Sequence, residues 1–197
     1  MKFHKAGACG ALLSATLALP GCALLDDPVR EPATAGAAKD AAAKDAPAMK
    51  LDDVDACKLL KDAELKETFG GAADKPAGNS TTIDDPVRMT NSSCIFGAKD
   101  DAVPFKVYVI VQQYETKQSG DDIGSSGSKP VSGVGEAAVS VEADDLGTVG
   151  VPTTQVRFVI DNKLVNVSRV YDDKAPADRA GDVAIVVELA KKVASRL

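Results

Sequence analysis

The sequence predicts an α+β fold: a single antiparallel sheet of about five strands, with an N-terminal helix and a C-terminal amphipathic helix packed on it. Three observations carry this. Residues 105–114 alternate, with Phe105, Val107, Val109 and Val111 on one parity and Lys106, Tyr108, Ile110 and Gln112 on the other. Residues 155–160 and 164–171 read as two strands around Asp161-Asn162, both of which tolerate the positive φ that a two-residue hairpin loop requires. From about residue 178 or 182 to Leu197, apolar positions Val183, Val186, Val187, Ala190, Val193, Ala194 and Leu197 recur at helical spacing. Glu188, Lys191, Lys192 and Arg196 take the opposite face, and the late cations suit the helix dipole.

Taken in order, the chain begins with an export signal. Lys2, His4 and Lys5 precede an uncharged apolar run over residues 6–19. That run has 14 residues, short of the ~20 that span a bilayer as a helix. It ends in Leu19-Pro20-Gly21-Cys22, which places a cysteine directly after Leu-x-Gly. This resembles the lipobox of bacterial lipoproteins, with Pro20 where a small residue is commoner. The likeness implies a signal peptide over 1–21 and lipid attachment at Cys22, which anchors the chain to the extracytoplasmic face of the cell membrane.

Residues 22–50 comprise that cysteine and a stretch of Ala, Lys, Asp and Pro that buries too little apolar surface to offset its ordering entropy. They read as a disordered tether spanning very roughly 30 Å. Residues 51–197 make one α+β domain of common size.

Within the domain, residues 55–69 read as helical, with a fresh start capped by Asp62 and an end at Gly70-Gly71. Residues 72–91 are rich in Pro, Gly, Asn, Ser, Thr and Asp and read as a long loop. A short strand follows over 92–98, then 105–114. Residues 116–130 read as a mobile Gly/Ser/Asp loop, 138–143 as a further strand, and the hairpin and terminal helix complete the order.

Charge and cysteine usage narrow the function classes. The chain carries 23 Lys+Arg and 29 Asp+Glu, net −6, and removing Lys2 and Lys5 with the signal takes it to −8. Such a surface repels phosphate backbones and anionic headgroups, so no nucleic acid is expected and the membrane is met through the N-terminal lipid alone. Of four cysteines, Cys9 leaves with the signal and Cys22 takes the lipid. Cys57 and Cys94 remain, an even pair in an exported chain, and a disulfide is the default. The rival readings are two free thiols or a metal site, for which two thiols without histidine are a poor set. A disulfide here closes about 38 residues and stabilises by roughly 4 kcal/mol through lost unfolded-state entropy.

His4 is the one histidine and departs with the signal. That removes Ser-His-Asp and Cys-His mechanisms and imidazole metal sites. Acidic doublets recur at Asp52-Asp53, Asp84-Asp85, Asp121-Asp122, Asp144-Asp145 and Asp172-Asp173. They read as turn and cap residues, against a carboxylate-based hydrolase or a weak calcium site near Asp121-Asp122 or Asp52, Asp53 and Asp55. Gly133-Val134-Gly135-Glu136-Ala137-Ala138 fits G-x-G-x-x-A on paper. A strand must precede and a helix follow such a fingerprint, and here a loop precedes and a strand follows. It reads as a tight turn launching the 138–143 strand.

Asp55-Ala56-Cys57-Lys58-Leu59-Leu60 with Glu64-Leu65, Ser93-Cys94-Ile95-Phe96, and Val131-Ser132-Gly133-Val134-Gly135-Glu136-Ala137-Ala138 together resemble a family of actinobacterial lipoproteins with a disulfide-bonded domain of unknown function. The shared elements are a Cys-x-Leu-Leu helix, a second Cys with an aromatic two places on, and a Gly-x-Gly-acidic-x-Ala turn. Phe96 stands where that family often has Trp, and Glu136 where it has Asp. The resemblance implies a Cys57–Cys94 disulfide, an extracytoplasmic location and a sandwich similar to the PsbP-like fold. It brings no catalytic residues.

The function these features support is a non-enzymatic envelope lipoprotein, without metal or cofactor. It would bind a small apolar ligand or an envelope protein on the half-apolar second face of the sheet, at Tyr108, Ile110 and Tyr114. The alternatives are a structural or accessory subunit of an envelope complex and, remotely, the carboxylate-based hydrolase.

Overall fold

In the computed structural model the described residues are 48–84, 87–143, 151–172, 179 and 181–197. The expected signal peptide, Cys22 and most of the expected tether fall outside them. Met49 and Lys50 already belong to the folded part. The Met49 amide donates to the Glu115 carbonyl at 2.7 Å, and the Lys50 carbonyl accepts from Gln113 Nε2 and Asn162 Nδ2.

The sheet has seven strands, not five: β1 (Ala77–Ile83), β2 (Met89–Phe96), β3 (Phe105–Tyr114), β4 (Lys129–Pro130), β5 (Ala137–Ala143), β6 (Thr153–Ile160) and β7 (Lys163–Tyr171). They lie in the order β1-β2-β3-β7-β6-β5-β4, and every neighbouring pair is antiparallel. The two additional strands fall where loops are expected. β1 occupies part of 72–91; its sequence AGNSTTI has no apolar alternation, and all seven residues are exposed. β4 is two residues at the far edge. Neither has a buried face, so hydrophobic periodicity carries no trace of them.

Two helices, α1 (Asp62–Phe69) and α2 (Asp182–Ala194), join a 3-10 turn at Ala56–Lys58 on one face. The core forms there. Cys94 and Phe96 of β2, Phe105 to Val111 in alternation on β3, Val165 and Val167 of β7, and Val156 and Phe158 of β6 meet Leu65 and Phe69 of α1 and Val186, Leu189, Ala190 and Val193 of α2. The register aligns these layers: Val109 faces both Cys94 and Val167. With few aromatics the core is largely valine, whose branched side chain suits the pleated sheet.

Local chemistry sets the boundaries. Asp55 accepts the Cys57 amide and caps the 3-10 turn, and Ser92 Oγ accepts the Ala56 amide. Lys61, not Asp62, is the N-cap of α1; Asp62 is its first helical residue, and Glu64 reaches back to the Lys61 amide at 2.8 Å. Gly70 ends the helix at φ +69°. In the β6–β7 hairpin the expectation of two residues at positive φ is corrected: Asp161 alone among described non-glycine residues adopts it, at φ +54°. Asn162 is instead buried, and its amide donates to the Tyr114 carbonyl at 2.6 Å.

Cys57 and Cys94 are disulfide-bonded, with Cα atoms 5.1 Å apart. The bond ties the 3-10 turn to β2 directly under Gly78, whose position admits no side chain because a Cβ there would meet Cys57 Sγ at 2.4 Å.

The 116–130 connection is corrected as well. It is not a loose loop: Gly120–Asp122 forms a 3-10 turn, Ile123 is buried, and the Gln118 amide donates to the Asp161 carbonyl. A Cβ on Gly120 would meet the Ala137 side chain at 2.7 Å, which places this connection against β5.

Candidate functional site

The sheet's second face, away from both helices, is where the expected site residues lie. Strand parity and register lay it out. Ser93, Ile110, Asn166, Arg157 and Val139 form one row across β2, β3, β7, β6 and β5. Asn91, Gln112, Leu164 and Val159 form the next row, and Ile95, Tyr108, Ser168 and Gln155 lie on the other side. The face is therefore a mosaic of aliphatic, aromatic and carboxamide side chains, and no carboxylate stands in these rows.

At the β5–β6 end this face is closed. Val141, Val159 and Gln155 are buried there, and Val141, Val159 and Ile123 lie outside the main core cluster. Towards β3 and β7 it opens into a cavity of about 230 Å³ lined by Ile110, Gln112, Arg157, Leu164, Val165 and Asn166. Of the three residues expected to bind a ligand, Ile110 lines this cavity. Tyr108 and Tyr114 share its parity but are not among its walls. The lining is also not the apolar one expected, since a guanidinium and two carboxamides contribute to it.

Arg157 is the distinctive member. Arg88 pairs with Asp84 at 3.2 Å, Arg169 with Asp182 at 2.8 Å and Arg196 with Glu64 at 2.5 Å. Among the described residues Arg157 holds no ion pair and no side-chain hydrogen bond, and its register neighbours Val139 and Asn166 are uncharged. Beside it, Asn166 Nδ2 donates to Gln155 Oε1 at 2.9 Å. That leaves Asn166 Oδ1 and Gln155 Nε2 buried without partners, and Asn91 Oδ1 on the same face is in the same state. A buried unpartnered polar atom costs about 1–3 kcal/mol.

A larger cavity, about 420 Å³, lies by the disulfide and is lined in part by Asp53, Asp55, Lys58 and Ser92. Lys58 and Asp55 pair at 3.0 Å on the surface, and Asp53 adds an exposed carboxylate. None of the buried unpartnered side-chain atoms lines it, so size does not make it the better site.

The carboxylates do not converge. Asp52 faces Lys163 at 3.7 Å, Asp84 pairs with Arg88, and Asp172 pairs with Lys106 at 2.8 Å. Asp85, Asp144, Asp145 and Asp173 lie outside the described residues. Among the described residues no three acidic or thiol side chains gather as a metal site. Cations beside Asp55, Glu64, Glu136 and Glu188 hold each of these carboxyls below the usual range, the opposite of what a general acid needs.

One buried ionic cluster sits under the start of α2. Asp182 accepts from Arg169 at 2.8 Å and from the Tyr171 hydroxyl at 2.6 Å, while the Arg169 guanidinium stacks 3.6 Å over the Phe105 ring. Burial, with the hydrogen bond to Asp182, pushes the Tyr171 hydroxyl up to about 12. This cluster pins α2 to the sheet.

The sequence reading missed Arg157, Asn166 and Leu164. Arg157 and Asn166 sit mid-strand at the outward parity and Leu164 is the second residue of β7, positions that read as ordinary strand surface. The β6–β7 hairpin brings these three together, and only the pairing order adds Ile110 and Gln112 of β3 beside β7.

No family model matches the chain, and no curated protein matches it. The solved extracellular domain of PknH from Mycobacterium tuberculosis is similar over 71% of this chain and 92% of that one, at 13% identity and a TM-score of 0.38. A likeness of that degree carries no argument about fold or function.

Proposed function

We propose that this chain is a lipid-anchored extracytoplasmic binding protein, without catalytic activity of its own, that receives a small ligand on the second face of its sheet. The observation that carries this reading is the open cavity at Ile110 and Leu164 with an unpaired arginine at its wall, on the face opposite α1 and α2. The lipobox at Leu19-Pro20-Gly21-Cys22 supports the anchor, and the even cysteine pair supports an oxidising compartment. No described helix is long and apolar enough to cross a membrane.

The test is native mass spectrometry of the full chain after incubation with envelope extract. Wild type retains a small molecule, and Ile110→Arg, which fills the cavity with a second cation, loses it. Equal retention by both would overturn the assignment of the site.

One observation favours a second reading, that of an accessory subunit. β1 is an edge strand, exposed along all seven residues, and residues 77–83 carry no charge and no proline to block pairing with another chain. Thr81→Pro would abolish a complex built that way and would leave ligand retention intact.

A further inference from the structure

We infer that the cavity between β3, β7 and β6 selects a small monocarboxylate with a short aliphatic body. This deepens the proposed binding function and rests on it. Arg157 presents a planar fork of donors that matches a carboxylate in two parallel hydrogen bonds. Arg157 is half-buried as a residue and, among the described residues, meets no counter-charge. In an acidic protein whose other described arginines all have partners, that is a cost the free protein carries and a ligand's carboxylate offsets.

The remaining walls set the rest of the ligand. Gln112 and Asn166 are neutral, so the site supplies one positive charge. That balances a monoanion and leaves a phosphate dianion half neutralised. The nearest cationic neighbours by register are already engaged, Lys106 with Asp172 and Lys163 with Asp52. Ile110 on β3 and Leu164 on β7 lie in adjacent register rows, both on the β7 side of Arg157, and give the aliphatic part an apolar seat. The Asn166–Gln155 amide pair, whose Oδ1 and Nε2 lack partners, lies next to Arg157, where small rotations would let one amide reach a ligand atom. At about 230 Å³ the cavity is smaller than the ~300–1,000 Å³ typical of drug-sized ligands, so the occupant is small.

The experiment is an NMR titration of the isotopically labelled full chain in detergent with butyrate, butyramide and butyl phosphate. Butyrate is too short to partition strongly into micelles. The expected result is a saturable shift of the Arg157 Nε–Hε signal and of the Gln112 and Asn166 side-chain amides with butyrate, and none with butyramide. Arg157→Gln weakens butyrate binding about tenfold or more, and Arg157→Lys retains a weaker response because the charge stays but the fork is lost. Unchanged thermal melts for both variants show that folding is intact; if Arg157→Gln melts early, Arg157→Lys alone decides. Butyrate binding that is indifferent to Arg157, equal binding of butyramide, or tighter binding of butyl phosphate each overturns the inference. If Arg157→Gln still retains a molecule from envelope extract, the carboxylate inference fails while the binding function stands. If wild type retains nothing and binds no butyrate, both fail.

Discussion

Gly135 is fixed by two constraints at once. Its φ is +55°, and a Cβ there would meet the Val159 carbonyl oxygen at 2.4 Å, so both the conformation and the space demand glycine. Glu136 then turns back, its carboxylate accepting the Asp161 amide at 3.0 Å and pairing with Lys117 at 2.9 Å, which joins this turn to the β6–β7 hairpin. Gly135→Ala is expected to cost about 2 kcal/mol or more, seen as a lowered urea midpoint with unchanged slope. An unchanged midpoint would mean that the turn relaxes freely. The Asp182 cluster makes a sharper case. Asp182→Asn leaves the Arg169 charge buried without its counter-ion and is expected to cost about 3 kcal/mol in the same measurement. The glycine turn was legible at this scale because its residue types have few other uses. Arg157 was not, because one arginine in a strand of alternating polarity looks like any solvated position.

Elements were legible in proportion to the apolar face they bury. β3 and α2 each present a long stripe to the core, and both lie where the sequence places them. β1 buries nothing and was read as loop. What the pattern could not supply is how the two helices meet. Arg196, at the end of α2, grips both Glu64 carboxylate oxygens and the Leu59 carbonyl, which clamps the C-terminus onto α1. The Arg196 hydrogen bonds hold the Glu64 carboxyl down at about 2, from an ordinary 4.5. A carboxyl lowered in the folded state stabilises above its unfolded pKa, and that contribution disappears as pH falls from about 4.5 towards 2. It amounts to about 3 kcal/mol at neutral pH. Wild type should therefore lose stability steeply across that window, and Glu64→Gln should be less stable at neutral pH and flatter below 4.5. Parallel pH profiles for the two proteins would show that the clamp contributes nothing.

At the scale of the whole molecule, the proposed cut at Cys22 would shape what the protein has to work with. It would take away the single histidine, leave the two cysteines that form the disulfide, and turn a net charge of −6 into −8. Cys22→Ala is expected to shift the protein from the membrane fraction to the soluble one, with a mass lacking the acyl groups; retention in the membrane would contradict lipid anchoring. The folded domain packs α1 and α2 on one face of the sheet and leaves Arg157 and the unpartnered Asn166 and Gln155 atoms on the other. Most of the fold class was readable from periodicity, whereas the site was not, because β3, distant in sequence, has to pair beside the β6–β7 hairpin to complete it. Hydroxyl-radical footprinting of the full chain, alone and in envelope extract, tests this division most directly. The account predicts that Ile110 and Leu164 are labelled in the free protein and protected in the extract, while Ile83, Val87 and Ile185 stay labelled. Protection confined to Ile83 and Val87 by the β1 edge, or to Ile185 on α2, would contradict it.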